Sequence, residues 1–325
     1  MKKWIALMLA LIAALSLMTG CRTKTLETDE NTTTRGALLS QADAPALPDT
    51  LDYGEDGVPT IIVYDVAERD YKRLNLQDYV MGVLAGEMRN DWPMEALKAQ
   101  AILARTFTLK FISEKDSMYP YADISTDVTE AQAYDASAVN ERVRRAVEET
   151  RGEIMSYQGE LPYAWFHAHS GGLTAPAREG LGWDKDEPPY TQIVPGNEPE
   201  SAQGEKDAQM LREAQHWQAS FPYEEVEAAC GTLGVDVTLT DGAKLTIEER
   251  GDSGRAVSLG LNGQSVDASD LRIALGSTKM RSTLITNYHF TPHHVYTSLL
   301  LPLSIQYPSY YTYYLCLLFE RVHSL

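Results

Sequence analysis

Cysteine is scarce in this 325-residue chain: there are three, at positions 21, 230 and 316. Residues so few and so far apart provide neither a cysteine-rich zinc site nor a disulfide framework. Cys230 and Cys316 could share one bridge at most, and nothing in their setting demands it, so both are expected to be free thiols. Positive charge is also short, with 28 Lys and Arg against 46 Asp and Glu, for a net charge of −18. With no Lys/Arg cluster to form a basic groove, nucleic acid is excluded as a partner. The apolar run from Trp4 to Met18 is 15 residues, shorter than the roughly 20 that a bilayer-spanning helix needs. No internal repeat is visible. What remains is an ordinary folded composition with room for a leader and one or two domains.

The start of the chain reads as an address. Lys2 and Lys3 precede the apolar run, which closes on "LMTGC", small residues just before Cys21. This resembles a bacterial lipoprotein leader, with residues 1–20 removed and Cys21 acylated, although Met18 stands where Leu is usual. The alternative is an uncleaved membrane anchor. Either arrangement leaves the bulk of the protein outside the cytoplasm, tethered to the membrane. Residues 22–52, rich in Thr, Asp, Pro and Ala without apolar period, read as a flexible stalk.

Structured patterning begins with "TIIVYDV", a strand candidate, and "NLQDYVMGVLAGEM", a helix with Asn75 near its start. "NDWP" breaks it, and Pro93 fits the first turn of a second helix. From Met94 to Ser113, residues 97, 101, 104, 108 and 111 form a core-facing stripe. A third helix is expected over about Ala136–Thr150. A hairpin-like pair follows, from "GEIMSYQ" through a Gly159-Glu160 turn to "LPYAWFHAHSGG". After a polar loop beyond Pro195, "HWQASFPYEEVEAAC" predicts a helix. "KLTIEERGDSGRAVSLGLNG" predicts a hairpin turning at "GDSG", and "ASDLRIALG" a last helix. Helices and hairpins in this mixture predict an α+β fold.

Glu87 stands out because Val80, Val83 and Leu84 lie seven, four and three residues before it, on one helix face. A carboxylate on that face loses hydration, which raises its pKa toward neutrality and equips it to donate a proton to a departing oxygen. The plainer alternative is a Glu at the edge of the stripe, reaching water or pairing with Arg105 across the two helices. In "YAWFHAHSGG", strand alternation puts Tyr163, Trp165, His167 and His169 on one face, able to stack on sugar rings or simply to pack a core. Gly171 and Gly172 allow close backbone approach. Two His at i, i+2 without a third ligand make a poor zinc site. Ser170 lacks the G-x-S-x-G elbow of a serine hydrolase. Gln132 and Tyr134 in "EAQAYD" offer polar groups for sugar hydroxyls, or are plain loop residues.

The ordered series "YVMGVLAGEM…WPMEALKAQAILARTF", "QAY", "AVEETRGEIMSYQGELPYAWFHAHSGGLT", "PYTQIV", "SGRAVSLGLNG" and "LRIALG…MRST" resembles the SpoIID/LytB family from about residue 55 to Thr283. The resemblance implies a lytic transglycosylase. Such an enzyme cuts peptidoglycan between N-acetylmuramic acid and N-acetylglucosamine on strands stripped of stem peptides. Glu87 falls on the family's catalytic acid/base. One carboxyl group suffices if the muramic C6 hydroxyl attacks and closes a 1,6-anhydro ring, whereas most glycosidases use two. The surrounding groove is expected to comprise Gln100, Arg105, Gln132, Tyr134, His167, Ser170, Gly171 and Gly172. The implied partners are peptidoglycan glycan strands and a cell-wall amidase. The LytB side of the family implies the alternative of a non-catalytic amidase enhancer.

The pattern departs from the family in two places. Some relatives hold zinc through Cys and His, but no Cys lies between 22 and 229, so no metal and no cofactor is carried over. The family also continues after this point with a segment like "GHGVGMSQ". Here residues 287–325 follow instead, with seven Tyr, four His and only two charged residues. That tail reads as atypical, as if frameshifted. The expected organisation is therefore leader 1–20, stalk 21–52, domain 53–286 and tail 287–325.

Overall fold

The computed structural model describes residues 38–39, 44–49, 51–167, 170–196, 216–240, 242–291, 294–300 and 320–323. The leader, Cys21, most of the stalk, His169 and Cys316 lie outside the described residues. The architecture is α+β, with helices packed on small, largely antiparallel sheets.

The chain enters through strands β1 (Leu38–Leu39) and β2 (Asp52–Tyr53). A hairpin of β3 (Pro59–Asp65) and β4 (Asp70–Asn75) follows, joined by β5 (Ile124–Ser125) running parallel to β3. Helix α1 (Leu76–Glu87) begins where β4 ends, because the Asn75 side chain accepts the Gln77 N–H at 2.8 Å and caps the first turn. Helix α2 (Met94–Glu114) starts after Pro93, and its residues 97, 101, 104, 108 and 111 are all buried, as the stripe predicts. Helix α3 covers only Glu141–Glu149. It starts five residues later than expected because Asp135 caps a separate 3-10 turn at Ala136–Ala138, and Asn140 then caps the helix. Strand β6 (Glu153–Ser156) closes this part. The first core collects Ile61 and Val63 of β3, Ile124, Ile154 and the apolar faces of α1, α2 and α3.

The second half is built on β7 (His216–Pro222), helix α5 (Tyr223–Thr232) and the meander β8 (Leu245–Arg250), β9 (Ala256–Leu261) and β10 (Gln264–Asp267). The short helix α4 (Ala177–Leu181) and helix α6 (Ala268–Ala274) pack against each other. The segment "HWQASFPYEEVEAAC" is thus half strand. Pro222 ends β7 and opens α5, since proline lacks the N–H that a continuous helix would use there. The "GDSG" turn is where expected, between β8 and β9. Trp217, Phe221, Cys230, Leu259, Leu261 and Leu271 fill a second core, and Cys230 is a free, buried thiol.

In the tail, β11 (Asn287–Thr291) and β12 (His294–Leu300) form a sheet with β7, and Val295 is buried in the second core. Strand β13 (Glu320–His323) pairs with β6.

Candidate active site

Helix α1 is apolar on nearly every side: Tyr79, Val80, Met81, Val83, Leu84 and Ala85 are all buried. It is therefore an internal helix rather than an amphipathic one, and a charged side chain can reach a surface only near its end. Glu87 is its last helical residue and is half-buried. Its Oε1 accepts the backbone N–H of Ala133 at 2.7 Å. Burial raises the Glu87 pKa above its ordinary value, opposed by that single hydrogen bond. The negative end of the helix dipole, where Glu87 sits, also disfavours the anion. With Oε1 held as acceptor, Oε2 is left to carry the proton.

The loop that grips Glu87 lies directly on α1. Asp135 donates its N–H to the Gly82 carbonyl at 2.9 Å, and the Tyr134 ring stacks on Tyr79 with centroids 5.6 Å apart. Two glycines, one turn apart, make room for it. A Cβ at Gly82 would stand 2.2 Å from the Tyr134 ring, and one at Gly86 would stand 2.7 Å from the Ala133 backbone. Sequence reasoning missed both glycines and the Ala133 N–H. The signal available was a pair of glycines four apart inside a strong helix, where each would cost stability without a packing reason.

Glu87, Gln132 and Tyr134 are therefore brought together. Gln132 is buried, with neither end of its amide partnered inside the protein, and Gln100 on α2 is buried with Nε2 unpartnered. Arg105 needs correction: it does not line a groove. Its guanidinium is fully buried, with Nε and Nη2 donating to Gln77 Oε1 at 3.1 and 2.7 Å and Nη1 donating to the Glu153 carbonyl at 2.9 Å. Burial pushes its pKa down to about 10. It clamps the start of α1 to β6, and a pairing with Glu87 is overturned by that position.

The "YAWFHAHSGG" segment is also corrected, since residues 161–167 are not in a strand ladder. The turn before it is formed by Gln158 and Gly159, both at positive φ, with a single bridge from Tyr157 to Glu160. The i, i+2 pairing still holds for the rings: Tyr163 and Trp165 stack at 4.9 Å, and Trp183 meets both edge-on. His167 is exposed. Ser170 is buried, and its carbonyl accepts from Arg255 Nη2 at 2.6 Å. Gly171 and Gly172 adopt φ of 72° and 100°, which favours glycine. This turn is anchored on Arg255, which also bonds Ser253 Oγ at 3.1 Å. The Glu179 carboxylate in turn accepts from the Ser253 hydroxyl and from the N–H groups of Asp252 and Ser253 at 2.9 and 3.1 Å. Sequence reasoning did not single out this buried network.

The fold and this geometry define an α+β protein with a partly desolvated acid presented at a helix end and steadied by one backbone donor. Residues 64–157 match the family model described as Stage II sporulation protein, SpoIID. The chain is 30% identical over 219 residues to an uncharacterized protein of Brachyspira hyodysenteriae, covering 67% of this chain and 53% of that one. It is 29% identical over 156 residues to Stage II sporulation protein D of Bacillus subtilis, covering 40% of this chain and 46% of that one. It is also 35% identical over 98 residues to the amidase enhancer of Bacillus subtilis, covering 30% of this chain and 13% of that protein. The matches thus span about half the length of these relatives or less. The SpoIID match falls on the segment that carries Glu87, Gln132 and Tyr134, and the relatives named Stage II sporulation protein D support that family.

Proposed function

We propose that this protein is a peptidoglycan lytic transglycosylase acting on peptide-stripped glycan strands, held at the membrane through an acylated Cys21. The observation that carries the reading is Glu87, half-buried with a raised pKa and one oxygen held by Ala133. Protonated on Oε2, Glu87 gives its proton to the glycosidic oxygen between N-acetylmuramic acid and N-acetylglucosamine as the C1–O bond breaks. The muramic C6 hydroxyl then bonds to C1, and the Glu87 carboxylate takes the hydroxyl proton. The acid is regenerated and a 1,6-anhydro end is formed, with no water consumed. Mass spectrometry of peptide-free strands incubated with the protein tests this. Fragments ending in 1,6-anhydro-muramic acid are expected, whereas reducing ends would mean hydrolysis and replace the mechanism.

A second reading is favoured by the match to the amidase enhancer: a glycan-binding protein that stimulates a cell-wall amidase without cutting. It predicts strand binding and faster amidase turnover with no new strand ends.

A further inference from the structure

Gln132 is 4% exposed, and neither its Nε2 nor its Oε1 has a hydrogen-bond partner within the protein. Gln77 Oε1 accepts from Arg105, and of Gln100's amide only Nε2 is buried without a partner. Among the described residues, Gln132 is thus the glutamine with both amide ends buried and unpartnered. A buried donor and acceptor without partners cost stability that an apolar side chain of the same shape would not. The next residue, Ala133, supplies the N–H that grips Glu87, and the one after it, Tyr134, lies across Gly82. The unsatisfied amide therefore stands one residue from the group that orients the acid. Its chain neighbours Ala131, Ala133 and Tyr134 are all half-buried, and pairing with a ligand requires the amide to turn out past them.

We propose that Gln132 is a substrate-binding residue whose amide pairs with the acetamido group of an N-acetyl sugar. This rests on the glycan-cleaving reading above. The chemistry of the site narrows the ligand. A phosphate or carboxylate offers only acceptors and would leave Oε1 unpaired, while an ammonium offers only donors and would leave Nε2 unpaired. An acetamido group offers one N–H and one C=O, which serves both ends at once; a pair of sugar hydroxyls also donates and accepts, and the deacetylated strands below tell the two apart.

The test crosses the residue with the substrate. Wild type and Gln132→Met are compared on peptide-free strands that are N-acetylated or chemically N-deacetylated, with melting temperature measured in parallel. Gln132→Met is expected to melt at or above wild type, because it removes two unpaired polar atoms. Its kcat/KM on acetylated strands should fall about tenfold. Deacetylation should cost wild type a similar factor but cost the variant little, since the interaction is already gone. If the two losses multiply, or if Gln132→Met keeps its rate, the amide is a structural group and the proposal is wrong. Should Gln132→Met fail to fold, Gln132→Asn keeps the amide chemistry on a shorter arm. It must then show a partial loss with the same dependence on the acetyl group. If wild type binds strands without cutting them, the cleavage reading fails by itself. The same cross is then read by co-sedimentation, where acetyl-dependent loss supports the proposal. An equal loss on both strand types, or no binding at all, overturns it.

Discussion

Glu87 and Glu179 are carboxylates packed against the first and second cores, and their surroundings differ in the supply of donors. Glu179 is 8% exposed and accepts two backbone N–H groups and the Ser253 hydroxyl, with the Arg255 guanidinium on that same hydroxyl. Glu87 is less buried but receives one backbone bond, from Ala133, and its pKa is raised by desolvation. A buried carboxylate with three donors is a strut, because its oxygens are met by fixed partners. One that is partly dehydrated and held through a single oxygen keeps its proton more readily and has a free oxygen from which to deliver it. The comparison teaches that burial does not make an acid; burial without enough donors does.

The largest expected effect separates the two residues by readout. Glu87→Gln should lower strand cutting by at least about 100-fold while leaving the melting temperature unchanged or higher. Normal turnover by that variant would remove Glu87 from the chemistry. Glu179→Ala should do the reverse. It orphans two backbone donors and leaves Arg255 without its nearby carboxylate, so urea denaturation should show a loss of about 3 kcal/mol. A stability loss below about 1 kcal/mol would mean that the network is not a strut.

How much of this could be read beforehand depends on which interactions are local in sequence. The α1–Pro93–α2 unit was legible because its stripe, cap and break all fall within consecutive turns. Glu87 was legible for the same reason, since its face is defined by Val80, Val83 and Leu84. Arg105 was misplaced because periodicity puts it on a helix face but cannot say that Gln77 and the Glu153 carbonyl wait on that face. β7 was absorbed into a helix although "HWQASF" alternates polar and apolar residues, because it runs without a break into the helical "YEEVEAAC", and its strand state depends on pairing with β12, far along the chain. The Glu179–Ser253–Arg255 network joins residues more than seventy positions apart, which no local pattern carries.

A smaller effect tests the floor beneath the acid. In an exposed helix, Gly→Ala stabilises by about 1 kcal/mol. At Gly86 the new Cβ would stand 2.7 Å from the Ala133 backbone, so the loop must lift. Gly86→Ala should therefore destabilise by roughly 1–3 kcal/mol and slow cutting, because Ala133 no longer holds Oε1. If it stabilises instead, as an ordinary helical glycine would, the loop is not seated as described and the single-donor account of Glu87 weakens.

The smallest effect lies in how stability depends on pH, where Glu87 can be followed without substrate. Burial holds the folded-state pKa of Glu87 above its unfolded value, so the folded protein binds this proton more tightly than the unfolded chain. Below about pH 4 both states are protonated and the contribution of Glu87 to stability is fully present. It is lost as pH rises through the raised folded-state pKa, because the folded protein must then hold a poorly hydrated anion. Glu87→Gln removes that ionisation. Its stability relative to wild type should therefore rise from about pH 4 upward and level off once Glu87 is fully ionised. The cutting rate of wild type should fall over the same interval as the acid loses its proton. Denaturation curves taken across that range check the first trend and initial rates the second. A difference between variant and wild type that stays flat with pH would show that Glu87 is ordinarily hydrated, and the contrast with Glu179 would then rest on hydrogen bonds alone.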